Sequence, residues 1–460
     1  MKKLFFVLAV FLPIVVGAQN YLEKSAPMDY MWKYVGSAGF SISSASQLSL
    51  AFSPTGQPYV AFKDNSLDVP KASVMMFNGN HWITVGSTGF SGVWINNPTL
   101  AISNSGEIWV AFISSETPYG VTVMKFNGIT WDNIGLAGFA PAQTGYMNIA
   151  ISSFGDPYVG FTYYNFSSPT AMVMKFDGNS WIPVGGASIY QGDIASIRIA
   201  FSLTGELYVA YNESLGKVSV MKLNKNTWEY VGESGFSAGG VNYLSLACNP
   251  NDNQPYVAYQ DVVNSRKSTV MKFNGTNWVS VGKEGFSPRN AHRQSLAFSP
   301  SGQPFVAFYD NGYYGKASVM SYDGADWNYV GKGGFSIAQI GAPSLVFNQN
   351  GIPYLAFQDF GNSLKASVMK YDSVNIGINE SRGSKVSLYP NPATEILTIE
   401  ISLTTLNSEL IILNTSGKTF LTHRITELKT LIDVSILTKG LYIVKLVNNE
   451  GVLIRKFLKQ

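Results

Sequence analysis

Five acidic residues recur at one place in a repeated pattern: Asp64, Glu213, Asp261, Asp310 and Asp359. A lysine follows each of them within a few residues, at Lys71, Lys217, Lys267, Lys316 and Lys365. Paired carboxylates are the machinery of glycoside hydrolysis. Here, however, acid and lysine come and go together. Two other copies of the pattern carry Ser114 with Gly120, and Tyr163 with Thr170. Charges that vanish as a pair read as an ion pair across two strands, a contact that is individually weak at a surface. His81, His292 and His423 are far apart, and Cys248 is the one cysteine. A cysteine-ligated zinc, a CxxC redox site and an internal disulfide are thereby excluded. His292 stands beside Arg293 with no nucleophile or carboxylate around it, so a structural or solvated role is expected. The expectation is no catalytic residue, no metal and no cofactor.

The residues that break the pattern are aromatic. Trp94, Tyr119, Tyr146, Tyr163, Tyr164, Phe166 and Tyr190 fall in variable segments of the second to fourth copies. Asn96, Asn97, Gln143, Gln191 and Asp193 lie nearby, and Arg198 alone replaces a small or amide residue at its position. Aromatic faces with amides and a few charges suit sugar rings, which present C–H patches and hydroxyls. Trp94, Tyr119, Tyr146, Tyr163, Tyr164, Phe166, Tyr190, Asp193 and Arg198 form the candidate ligand site.

These residues must be positioned by the repeat itself. The pattern Trp-x-x-[Val/Ile]-Gly begins at Trp32, Trp82, Trp131, Trp181, Trp228, Trp278 and Trp327. After each Trp come Gly-Phe-Ser in most copies, an alternating strand, a Pro/Gly turn, a second strand, a variable loop and a third strand. An Asn-Gly or Asp-Gly turn leads to the next Trp in five cases, at Asn78, Asn127, Asp177, Asn274 and Asp323. That dipeptide predicts a tight type I′ hairpin. Four short strands per unit, seven times over, with no helical periodicity, predict an all-β fold with a seven-bladed β-propeller. The first Trp strand has no hairpin before it, and the last third strand has no Trp after it. Residues 31–36 are therefore expected to complete the seventh blade. Cys248 replaces a Phe or Ile of the other copies and is expected to be a small core residue. The repeat lacks the Trp-Asp of WD40 blades, the paired glycines of kelch blades and the Ser-x-Asp-x-Gly order of the sialidase Asp-box, so it points to no particular propeller family.

In such a blade the loops after the second strand and the crossovers to the next blade share one face. They vary in length and chemistry while the opposite turns stay uniform. Variable loops on a constant frame usually carry function.

The two ends read differently. Met1-Lys2-Lys3, an apolar run from Leu4 to Val16 and the small residues Gly17-Ala18 predict a signal peptide over residues 1–18. The run is too short for a membrane span, which needs about 20 apolar residues, so no transmembrane segment is expected in the mature chain. After residue 385 come Tyr389-Pro390-Asn391-Pro392, Ser416-Gly417-Lys418, Gly440-Leu441-Tyr442 and the basic Arg455-Lys456. Alternating strands between Asn/Gly/Pro turns predict a small Ig-like β-sandwich there. The motifs resemble the type A C-terminal sorting domain of the type IX secretion system of Bacteroidetes. That resemblance implies the type IX machinery as a partner and a final location that is secreted or on the outer cell surface. The expected layout is a signal peptide (1–18), a lead-in (19–30), the propeller (31–372), a linker (373–384) and the sorting domain (385–460).

Only 13% of the 460 residues are charged, against about 25% in ordinary globular proteins. A net charge of +3 is too mild for a nucleic-acid footprint. The reading these observations favour is an exported or surface binding or adhesion protein recognising a glycan or another surface polymer. A propeller glycosidase or lyase is the first alternative, and a protein-interaction scaffold the second.

Overall fold

The computed structural model describes residues 29–374 and 386–460, apart from residues 67, 118, 141–142, 166–167, 187, 193, 214–215, 402–405, 407, 415–417 and 449–450. The signal peptide, Phe166 and Asp193 thus lie outside the described residues. The chain divides into two compact units, one spanning Tyr30–Asp372 and the other containing Ser373–Gln460.

The larger unit is a propeller of seven antiparallel sheets. In blade one the strands run Ala45–Phe52, Pro58–Asp64, Lys71–Phe77 and Trp82–Thr84, in that order from the axis outward. The inner strands of the later blades begin at Ile95, Thr144, Ile197, Val241, Ala291 and Ser344. Each inner strand approaches that of the next blade, and the first approaches the seventh. The seventh sheet takes its outer strand, Asp29–Tyr34, from the other end of the chain. The backbone N–H of Val35 donates to the Val368 carbonyl at 2.9 Å, and Lys33 lies 3.1 Å from Asp372.

The Trp-x-x-[Val/Ile]-Gly repeat has a direct physical meaning. Each of the seven indole N–H groups of the motif donates to the Val or Ile carbonyl of the preceding repeat, as Trp82 to Val35 (2.7 Å) and Trp278 to Val231 (2.6 Å). Trp32 does the same to Val330 (2.8 Å) across the closure. The Phe of Gly-Phe-Ser stacks on the next Trp, Phe90 on Trp131 at 4.2 Å and Phe335 on Trp32 at 4.4 Å. The glycine that ends the motif leaves room for that ring. At Gly86 φ is +74°, and a Cβ would sit 2.9 Å from Nε1 of Trp131, so only glycine suits the site. The second and third strands are buried almost throughout, with Val60, Val110, Val209 and Val306 fully enclosed between blades.

The turns before the tryptophans differ from expectation. Phe77 pairs with Trp82, leaving a four-residue loop in which the Asn78 side chain accepts the N–H groups of Asn80 and His81 at 3.0 Å. Of this loop, Gly79 alone takes positive φ, so the Asn-Gly pair builds an Asx loop rather than a type I′ turn. The two-residue hairpin occurs instead in blade four, where Lys225 adopts φ 54° without an Asn-Gly pair.

The second unit contains a three-stranded sheet (Ser387–Tyr389, Ile396–Glu400, Lys429–Asp433) and a four-stranded sheet (Thr419–Arg424, Glu409–Asn414, Gly440–Asn448, Gly451–Lys459). Leu397 and Ile399 of the first share one core with Leu410, Ile412, Val444 and Phe457 of the second.

Candidate functional site

The recurring carboxylates form no ion pair with the lysines beside them. Asp310 and Lys316 are direct cross-strand neighbours, as are Asp359 and Lys365. Yet the ion pairs among the described residues lie elsewhere, such as Asp156–Lys175 at 2.8 Å and Glu206–Lys222 at 2.9 Å. Asp310 is fully buried. It accepts the Ser318 hydroxyl (2.8 Å), the Tyr329 hydroxyl (3.0 Å) and the Gly312 N–H (2.8 Å). Asp359 repeats this with Ser367 (2.8 Å), Tyr34 (3.1 Å) and Gly361 (3.0 Å). The Ser hydroxyl in turn accepts the glycine N–H of Gly-Phe-Ser, Gly334 to Ser318 and Gly39 to Ser367, both at 2.8 Å. Burial, and then the neighbouring Asp310 charge, push the Tyr329 phenol up, so that it remains a donor. The carboxylates therefore hold a crossover to its own blade. An ammonium would have to be desolvated in the same buried spot, whereas a hydroxyl enters at far lower cost. The ion pair with lysine that the sequence suggested is thus replaced by hydrogen bonds to hydroxyl and backbone donors.

Of the described aromatics expected on blades two to four, Tyr164 lines a cleft. Trp94 is exposed, with the Lys63 ammonium 5.9 Å from its ring; Lys63 also donates to Asn96 at 2.7 Å. Tyr119 is exposed on the loop before the strand Gly120–Phe126. Tyr163 is not a loop residue. The strand runs Pro157–Asn165, and Tyr163 follows Phe161 into the core between blades two and three, 9% exposed. Period-2 alternation, continued two residues further than expected, turns it inward. Tyr190 opens a short fifth strand against Ser168–Phe176 and packs on Tyr211 at 5.2 Å. Tyr146 is the third residue of the inner strand of blade three and is exposed. Tyr164 lines a cleft of about 240 Å³ between blades three and four with Pro169, Ile194, Asn212 and Glu213. Arg198 is partly buried on the inner strand of blade four and donates to the Ile197 carbonyl at 2.7 Å. Burial, its main influence, lowers its pKa, and Tyr146 acts against that.

A second cleft on the same face, of about 290 Å³, lies on blades five to seven. Tyr243 and His292–Arg293 come from the starts of two inner strands, and Tyr309 and Gln358 from the ends of second strands. Asn311 and Phe360 follow on the loops, and Gln339 on a crossover. Tyr243 (43% exposed) and Phe360 (41% exposed) offer their rings to solvent. His292 sits edge-on between Tyr243 and Tyr309, 5.6 Å from each, and its Nδ1 lies 3.3 Å from the Gln260 amide nitrogen. Burial first, then the charges of Arg293 and Arg266, hold its pKa below the ordinary imidazole value. Tyr243 and Arg293 both take positive φ at the β-bulges that open their inner strands, at 53° and 60°. The bulge aims their side chains off the regular pleat. Sequence reasoning passed over this cleft and set His292 aside; the usable signal was a large residue at a bulge position held elsewhere by Gln47 and Asn97.

Among the described residues no group of His, Cys, Asp and Glu could hold a metal, and no helix is long and apolar enough to cross a membrane.

Several solved structures are similar in backbone. PorZ, a surface component of the type IX secretion system of Porphyromonas gingivalis, aligns over 90% of this chain at 13% identity and TM-score 0.45. The alignment covers 59% of PorZ. The fucose-recognising, six-bladed Aleuria aurantia lectin aligns over 64% of this chain and 96% of its own, at 16% identity and TM-score 0.46. A family PL25 ulvan lyase aligns over 75% of this chain and 96% of its own, at 12% identity and TM-score 0.49. No curated protein matches the sequence. Residues 387–460 match the secretion system C-terminal sorting domain. The C-terminal unit is therefore a type IX sorting domain, and the protein it ends is one delivered outside the cell or onto its surface.

Proposed function

We propose that this is a binding or adhesion protein whose propeller recognises a glycan or another surface polymer, with the cleft of blades five to seven as its main contact. One observation carries the reading. Two solvent-facing rings, Tyr243 and Phe360, flank a cavity whose wall also carries the amides of Asn311, Gln339 and Gln358 and the guanidinium of Arg293. Rings stack on the C–H faces of sugars, while amides pair with their hydroxyls. Four of the five recurring carboxylates, Asp64, Asp261, Asp310 and Asp359, are buried and occupied by hydroxyl or backbone donors, which favours binding over hydrolysis. Tyr146 and Tyr164, on the same face, are available to a longer polymer. In this reading residues 1–18 are removed on export, and the sorting domain engages the type IX machinery.

A glycan array probed with the mature full-length chain, run beside glycosidase and lyase assays, tests the proposal. Tyr243→Ala and Phe360→Ala should each weaken binding by about 1–2 kcal/mol, as expected for aromatic anchors. Normal affinity in both variants, or turnover of a bound polymer, would contradict it.

A further inference from the structure

The two clefts on this face differ in charge. The one between blades three and four has Glu213 in its wall and no cationic side chain. The one on blades five to seven has Arg293 and His292 and no carboxylate. Asp310 and Asp359 adjoin that wall in sequence, but both are fully buried and turned to the hydroxyls described above. Arg293 is exposed and makes no ion pair among the described residues. Its left-handed backbone at the bulge is a conformation that non-glycine residues adopt sparingly.

A second cation breaks the order around the axis. Seventeen residues after each Trp stands an inner-strand residue, and in five of the seven blades its side chain accepts an N–H of the following blade. Ser49, Asn148, Ser245, Ser295 and Ser344 do so, each at 3.0 Å. Arg198 holds this position in blade four and, like Thr99 in blade two, makes no such bond, but it alone brings a charge there. It too has no ion pair among the described residues. A site with cations and no opposing carboxylates concentrates anions.

We propose that the cleft of blades five to seven selects an acidic polymer, Arg293 taking the carboxylate of a uronate or a sulfate ester while the sugar rings lie against Tyr243 and Phe360. This deepens the glycan reading above and rests on it. Arg198 adds to the positive potential near the axis without touching the same anion.

The test measures binding of the mature full-length chain to two matched pairs at physiological salt. The pairs are polygalacturonate against its methyl ester, and dextran sulfate against dextran. The expected result is at least about tenfold tighter binding of the charged member of one or both pairs, the scale of a charge-assisted contact. Which pair shows it identifies carboxylate or sulfate as the anion. Arg293→Gln should abolish that preference, and Lys272→Gln, on the opposite side of the blade, should keep it. Equal affinity within both pairs, still weakened by Tyr243→Ala, would overturn the acidic assignment and leave the glycan reading standing. A preference that survives Arg293→Gln would overturn it as well. Binding to none of the four polymers, with none on the array, would overturn both.

Discussion

Closure of the ring gives a prediction that can be worked through. Trp32 enters from the N-terminal strand, is 7% exposed, stacks on Phe335 and donates to Val330 at 2.8 Å. Trp131 has the same surroundings inside the ring, with Phe90 and the Val85 carbonyl at 2.9 Å. Replacing either by Phe keeps most of the stacking but strands a buried carbonyl, which costs about 1–3 kcal/mol. Replacement by Ala should cost about 3–5 kcal/mol through the cavity left behind. If the N-terminal strand is as firmly seated as the interior outer strands, Trp32→Phe and Trp131→Phe will lower the melting temperature by similar amounts. Each kcal/mol corresponds to about 2–4 °C in domains of 150–250 residues and to less in a larger one. Differential scanning calorimetry on matched variants reads this directly. A clear loss in Trp131→Phe with no change in Trp32→Phe would refute the closure, because the terminal strand would then contribute nothing to the melting unit.

Three further outcomes follow from the contacts. Asp310→Ala should destabilise the chain by about 2–4 kcal/mol by stranding the Ser318 and Tyr329 hydroxyls in a buried site, whereas Lys316→Ala should stay within about 0.5 kcal/mol; denaturant midpoints will separate the two. Burial tends to raise the Asp372 pKa, but hydrogen bonds from Lys370 and Lys33 outweigh it and bring the group to about 2, below the ordinary 3.8. Because the folded pKa is the lower one, its contribution is present above 3.8 and lost as pH falls toward 2, so Asp372→Asn should flatten the acid limb of a melting-temperature profile across that window. Removal of residues 385–460 should leave the propeller folded and keep it inside the outer membrane of the native host, read by fractionation and immunoblot; normal appearance outside the cell would contradict the sorting role.

Much of the architecture was legible because repetition makes local signals redundant. Seven tryptophans at nearly constant spacing, with complementary half-blades at the two ends, determine blade number and the position of the closing strand. The tail motifs determined the destination of the protein in the same way. What the sequence could not supply is which of two adequate partners wins. Lys316 and Ser318 stand two residues apart on one face of the same strand, so either can meet Asp310; full burial decided for the hydroxyl, since the ammonium would lose its hydration there. Likewise Tyr163 reads as a loop aromatic until the strand is seen to run through Asn165 and carry it into the core. The cleft of blades five to seven was beyond sequence for a geometric reason. Its wall is assembled from Tyr243, His292–Arg293, Tyr309, Asn311, Gln339–Gly341, Gln358 and Phe360, separate segments that meet because strand starts, strand ends and crossovers of neighbouring blades share one face. Each segment alone is an ordinary variant of its repeat, and only the ring's curvature brings their side chains to a common space.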